Sequence, residues 1–258
     1  MNKIKLSVII PSRSNDMQIE FLTRSIDSVK NQTIIDMFDV SFIIGVDNGV
    51  RLPHTLLNNL GARCVESQVK SQAGALNSCI KDVSDGYVAF LEDDDQWMPI
   101  YLECAIQGLK ENGFVSSTQA EYDENGVFLK INDFPSPSGW MMPFSTLSKV
   151  GLFNEDFKFH LDNEWLGRLS DSKILRVHLM EATAPIVDIQ FVRPLLINLI
   201  NDPSKSCQLV RHFSPYPLVK RLVHSKSGMH QIRTVESVRE ISIKEKSILK
   251  SRFGRIPW

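Results

Sequence analysis

Glu92, Asp93, Asp94 and Asp95 stand side by side directly after the apolar run Tyr87-Val88-Ala89-Phe90-Leu91. Adjacent carboxylates repel one another and add nothing to the packing of a strand. A cation shared between them accounts for their place at a strand end better than packing does. A solvated acidic turn is the competing reading, because charge runs commonly face water.

A site of this kind needs a scaffold that presents strand ends, and the chain reads as one. Leu6-Ser7-Val8-Ile9-Ile10 is a buried-strand pattern that stops at Pro11, and Phe21, Leu22, Ile26 and Val29 then recur at helical spacing. Val40 to Val46 predicts a second strand ending at Asp47, Pro53 a helix start, and Ala62 to Val65 a third strand. An amphipathic helix follows from Ala75, Leu76, Cys79, Ile80 and Val83, then the strand Tyr87 to Leu91. Trp97-Met98-Pro99 is expected to open a helix reaching about Lys110. Short strands alternating with helices predict an α/β fold with a mostly parallel central sheet flanked by helices. In such sheets ligands sit outside the carboxyl ends of the strands, which is where Pro11-Ser12-Arg13, Asp47-Asn48 and the acidic run fall.

At 258 residues and 43% hydrophobic content, the chain has enough apolar material for one sizeable core. No run of 18 or more apolar residues suggests a membrane span, and a strand begins by Ile4, so a cytoplasmic protein is expected. Cys64, Cys79, Cys104 and Cys207 lack metal-site spacing and read as reduced core thiols. The net charge of -1 hides an asymmetry: from Lys205 onward 12 Lys/Arg face 3 Asp/Glu, leaving 17 against 27 in the body. The expected division is therefore a main domain over 1–190 and a basic, mainly helical extension over 191–258. That extension could contact an anionic membrane surface peripherally, a phosphate-bearing ligand or the acidic face of its own body, and the last is favoured. No GxGxxG follows the first strand and no GxxxxGK[ST] occurs, which sets aside dinucleotide and P-loop chemistry. Nucleic acid is not an expected partner.

An ordered set of segments resembles the family 2 glycosyltransferases of the GT-A fold. It comprises Ser7-Val8-Ile9-Ile10-Pro11, Ser25-Ile26-Asp27-Ser28-Val29 with Gln32-Thr33, Val46-Asp47-Asn48-Gly49, Gly74-Ala75-Leu76-Asn77, Gly86 through Pro99, Val150-Gly151-Leu152-Phe153-Asn154-Glu155, and Asp162 to Arg168. Each is weak alone; together and in order they are specific.

The resemblance implies a metal-dependent, inverting transfer of a sugar from a nucleotide-diphospho-sugar, uridine-linked, to a hydroxyl of a glycan or lipid-linked acceptor in surface polysaccharide synthesis. It assigns Asp47 to the nucleotide base, Pro11, Ser12 and Arg13 to the same pocket, Asn77 and Glu92 to the donor site, and Asp93 to the ribose. Asp94 becomes the main metal carboxylate, supported by Asp95, and hard carboxylate oxygens suit Mn2+ or Mg2+. His178, after the strand-like Ile174 to Val177, stands where some GT-A enzymes place a late metal or phosphate ligand. The register set by Arg168 makes Asp162 the base, with Glu164 as competitor. Capping of the helix start without catalysis is the plain alternative for both. Trp140 suits either an acceptor platform or core packing. Leu76 and Leu161 depart from the family pattern, which keeps open a nucleotide-sugar-binding scaffold protein without turnover. A sugar-1-phosphate nucleotidyltransferase fits less well, because Ser12-Arg13-Ser14 is all that follows the first strand.

Overall fold

The computed structural model of the chain describes residues 2–13, 16–181, 207–212, 217–225 and 227–258. The first apolar run forms β1 (Ile4–Pro11), whose side chains divide by parity. Leu6, Val8 and Ile10 enter one core, while Ile9 enters a second on the opposite face. Burial on both faces is what a continuous apolar run encodes in a parallel sheet. β2 (Phe38–Asp47) and then β3 (Ala62–Ser67) extend the sheet in parallel on one side of β1, and β4 (Tyr87–Phe90) pairs in parallel on the other.

Beyond β4 come β9 (Met141–Pro143), antiparallel to both neighbours, then β6 (Phe114–Ser117), β10 (Arg176–Glu181) and β11 (Cys207–His212), completing eight strands. A second sheet orders β5 (Gln96–Trp97), β12 (Val219–Leu222), β7 (Gln119–Tyr122) and β8 (Phe128–Asn132). One face of the main sheet is covered by α1 (Asp16–Lys30), α2 (His54–Leu60) and α4 (Tyr101–Leu109). The other is covered by α3 (Gln72–Ile80), α5 (Phe144–Val150), α6 (Leu161–Asp171) and α8 (Glu236–Phe253), with α7 (Gly228–Thr234) leading into α8. The sheet grows outward in opposite directions from β1 and β4. Their carboxyl ends therefore flank a crevice at a topological switch point.

The helix expected from Trp97 begins instead at Tyr101, because Gln96 and Trp97 pair with β12 as a two-residue strand. The Trp97 indole N–H donates to the Ser138 carbonyl at 2.7 Å and its ring stacks on Tyr101. The 190/191 boundary lies outside the described residues. Beyond it, the basic extension contributes β11 to the main sheet and β12 to the second one, besides α7 and α8. Among the described residues no helix is long and apolar enough to cross a membrane.

β2 can lie against α3 because position 45 has no side chain: a Cβ there would sit 2.6 Å from the Ala75 carbonyl oxygen and 2.9 Å from Cys79 Sγ. Gly45→Ala is expected to cost about 1–3 kcal/mol through overpacking. Thermal unfolding checks this, and a Tm equal to that of the parent would show that α3 moves freely away from the sheet.

Candidate active site

β4 ends by delivering Glu92, Asp94 and Asp95 to the crevice, each with a ligand oxygen within 4.8 Å of the others. The turn that carries them is fixed from several sides. The Ser25 hydroxyl of α1 sits among the carbonyls of Glu92, Asp93 and Asp95, 2.9 Å from that of Asp93. Ser138, fully buried, accepts the Glu92 N–H at 3.1 Å and donates to Asp95 Oδ2 at 2.6 Å. Gln72 of α3 donates to Glu92 Oε1 at 2.8 Å. Burial, then the charge of Asp94, raises the carboxyls of both Glu92 and Asp95 above their ordinary range. Three oxygen donors, Asp95 buried and Glu92 and Asp94 half-buried, are held together against their own repulsion by these buttresses, an arrangement that could hold a hard divalent cation.

Asp93 points elsewhere. It is buried beside Ser12, and its Oδ2 has no hydrogen-bond partner among the described residues. Burial, with the charge of Asp94 added, pushes its carboxyl up to about 7. Pro11, Ser12 and the exposed Arg13 continue from β1, where the Ser12 N–H is tied to the Gly45 carbonyl of β2 at 2.8 Å. Asp47 closes β2 on the same rim.

Asp162 lies in the first turn of α6, close enough to Glu92 and Arg221 to feel both charges. Its Oδ1 accepts the Asn163 N–H at 2.8 Å. Burial, opposed by that hydrogen bond, brings its carboxyl up to about 7. Glu164 has a different fate. It is 1% exposed, both its oxygens take the Arg168 Nε–H at 3.0 Å, and Arg252 of α8 adds a contact at 2.8 Å. Arg168 also donates to the carbonyls of Val150 and Leu152. Glu164 is thus tied into the α6–α8 packing and is not brought to the acidic cluster.

Three more residues make their contacts away from the acidic cluster or within the core. Asn77 is buried and brackets Phe153, donating to its carbonyl at 2.9 Å and accepting its N–H at 2.8 Å, with Glu155 on the remaining amide hydrogen. Its amide is spent on holding a loop rather than presented to the crevice. His178 bonds Ser116 through Nδ1 at 2.8 Å and packs near Trp258, away from the cluster that Glu92, Asp94 and Asp95 form. Burial, reinforced by the Arg176 charge, lowers the His178 imidazole to about 3, so it is neutral. Trp140 is fully buried among Phe114, Phe153 and Trp165, which is the core role.

The basic extension supplies what sequence reading leaves unassigned. β12 runs past the cluster: the Leu222 N–H donates to Asp95 Oδ1 at 3.2 Å, and His224 Nε2 lies 2.9 Å from Asp94 Oδ2. The half-buried Arg221 lies beside Glu121 at 3.5 Å, within reach of the charges of Asp95, Glu92 and Asp94. The hydrogen bond to the Asp94 carboxylate raises the His224 imidazole above its usual value. Here the acidic face of the body and the basic tail meet. The excess of charge in the tail hints at such a contact, but only pairing between distant strands selects Arg221 and His224 from the cations there.

A model of the family described as glycosyl transferase family 2 matches residues 7–169. An uncharacterized glycosyltransferase of Rickettsia bellii is 31% identical over 143 residues, 54% of this chain and 20% of the relative, so the chain spans about a fifth of that protein's length. Among solved structures, TarS 1-349 of S. aureus in complex with UDP-GlcNAc superposes with a TM-score of 0.59 at 13% identity, covering 96% of this chain and 67% of that one. Glucosyl-3-phosphoglycerate synthase from Mycobacterium tuberculosis, in complex with Mn2+ and UDP-Glc, gives a TM-score of 0.55 at 15% identity over 98% and 80% of the two chains. At these identities the likeness to the solved structures is one of fold. The family match spans most of the sheet and both acidic elements of the site, and on that ground the chain belongs to glycosyl transferase family 2, built on the GT-A fold.

Proposed function

We propose that this chain transfers a sugar from a uridine-diphospho-sugar to a hydroxyl of a glycan or lipid-linked acceptor, with inversion at the anomeric carbon. The observation that carries the reading is the meeting, at the switch point of the sheet, of a buttressed oxygen-donor cluster with a separate carboxylate, Asp162, tuned by burial to about 7. That the two solved relatives hold UDP-GlcNAc and UDP-Glc favours a uridine donor.

Glu92, Asp94 and Asp95 would hold Mn2+ or Mg2+, which when bound supplies positive charge against the donor's diphosphate oxygens. Arg221 adds a second cation on the same side. Asp47 and the Pro11–Arg13 segment would receive the nucleoside, and the unpartnered Oδ2 of Asp93 is an acceptor for a ribose hydroxyl. Asp162 takes the proton from the acceptor hydroxyl as its oxygen bonds to C1. The C1–O bond to the diphosphate breaks with its electron pair leaving on the phosphate oxygen. A base whose pKa lies near working pH combines the right ionisation state with driving force for proton transfer. Attack from the side of Asp162, opposite the departing diphosphate, inverts the centre.

The test is a binding and hydrolysis screen of UDP-, GDP- and dTDP-sugars with and without Mn2+. Cation-dependent binding of a uridine donor, with slow release of UDP to water, is the expected result. Donor binding without turnover over a range of acceptors would leave a nucleotide-sugar-binding protein and overturn the catalytic half. No binding of any nucleotide sugar would overturn both halves.

A further inference from the structure

We infer that Glu245, far along the chain in α8, is the positioning residue for Asp162; the inference rests on the proposed role of Asp162 as base. Glu245 is 4% exposed, and its carboxylate accepts three consecutive backbone N–H groups: Lys158 at 2.7 Å, Phe159 at 3.0 Å and His160 at 3.0 Å. Successive N–H groups curled around one anion form a nest, a concavity whose partial charges favour a negative group. The nest lies immediately before α6, so its closure sets the direction in which the first turn of α6, and Asp162 with it, leaves the loop.

The C-terminal segment grips this stretch twice more, once from α8 and once from beyond its end. Ser242 Oγ lies 2.8 Å from His160 Nε2, and the other nitrogen of that ring meets Asn163 Oδ1 at 3.0 Å. Asn163 then donates through Nδ2 to the Pro257 carbonyl at 2.6 Å, beyond the end of α8. Asp162 is thereby flanked on both sides, at 160 and 163, by residues whose side chains are spent on the C-terminal segment. Further along α6, a Cβ at Gly167 would meet the Phe253 ring at 2.5 Å, so the two helices pack at a separation that fixes their register. None of these groups touches the acidic cluster. Their common effect is on where the Asp162 carboxylate stands.

A buried carboxylate accepting three N–H bonds could serve stability alone, and a double-mutant cycle separates the two roles. UDP release from UDP-glucose and UDP-N-acetylglucosamine is measured with Mn2+ for the wild type, Glu245→Gln, Asp162→Asn and the double variant. Glutamine keeps the volume but brings an N–H2 where an acceptor is needed. Glu245→Gln is expected to lower kcat by about 10- to 100-fold, the cost of misplacing a catalytic group by a fraction of an ångström to an ångström, with donor KM within about twofold. In the Asp162→Asn background the same change should cost less than about twofold, because there is no longer a base to misplace. An equal factor in both backgrounds, a donor KM raised as much as kcat falls, or an unchanged kcat in Glu245→Gln overturns the inference. If Glu245→Gln does not fold at the assay temperature, Ser242→Ala carries the same cycle. Wild-type turnover in Asp162→Asn would instead overturn the base assignment whatever Glu245 does, and a wild type that releases no UDP would remove both.

Discussion

Asp162→Asn is expected to reduce turnover by roughly 10²–10⁴-fold while donor affinity stays within about twofold, since general-base catalysis contributes in that range and Asn is isosteric. Asp162 does not share in the oxygen cluster of Glu92, Asp94 and Asp95, so the donor site should survive its loss. The wild-type pH profile supplies a second check. Burial places the carboxyl at about 7 and the base must be ionised, so turnover should fall about tenfold per pH unit below that value and level off above it. In Asp162→Asn that limb should vanish from the residual rate. Glu164→Gln provides the contrast, because it leaves the half-exposed Arg252 and the less exposed Arg168 facing a neutral amide. Its expected cost is stability, roughly 3 kcal/mol at the lower end for breaking a buried pair, with kcat little changed at a temperature where it stays folded. Should Glu164→Gln silence a well-folded enzyme and Asp162→Asn spare it, the two assignments exchange.

The contrast between these two residues also marks how far the sequence could be read. β1, α1 and β2 are legible because their information is local: one apolar run, one helical repeat, one acidic or proline stop. The acidic run is legible for the same reason, as four like charges at a strand end leave few explanations. Asp162 and Glu164 are two positions apart in the first turn of one helix, and no spacing rule tells them apart. What separates them is Arg252, which comes from α8 and finds Glu164 only after packing. The histidines follow the same logic. His178 and His224 each follow a short β-like run, but only pairing of β12 between β5 and β7 carries His224 to Asp94. β5 itself, two residues long, has no local signature at all. The motif gives Asn77 a donor-site role and leaves Trp140 between an acceptor platform and the core; residues of polar or aromatic type serve loops and cores as readily as ligands, and the fold buries both. Leu76 and Leu161, where the chain departs from the family pattern, are both buried in the apolar core beneath α3 and α6.

Asp94→Ala is expected to abolish cation-dependent donor binding and, without metal, to leave the protein no less stable than the wild type. The two outcomes share one cause. Glu92 and Asp95 are anchored by Gln72, Ser138 and Leu222, whereas Asp94 meets the His224 imidazole near the surface of the cluster, so Asp94 is the cluster member least committed to structure. Burial first, and the Asp94 charge after it, raise the carboxyls of Glu92, Asp93 and Asp95. A folded state that binds more protons than the unfolded chain loses stability as pH rises. For Asp93 that window runs from the ordinary aspartate range up to about 7. Removing Asp94 lowers these neighbours toward their normal values and narrows the penalty, which offsets the lost contact with His224. Metal acts in the opposite direction in the wild type: binding the ionised carboxylates displaces protons, so Mn2+ should stabilise more at pH 8 than at pH 6. At about 100 times its dissociation constant the gain is about 2.7 kcal/mol, or roughly 5–10 °C in Tm for a chain of this size. Thermal unfolding of both proteins at the two pH values, with and without Mn2+, reads all of this in one experiment. A wild type whose Tm ignores Mn2+ at pH 8 would return the cluster to the status of a buttressed acidic turn, and an Asp94→Ala variant that keeps the full shift would move the metal to other ligands.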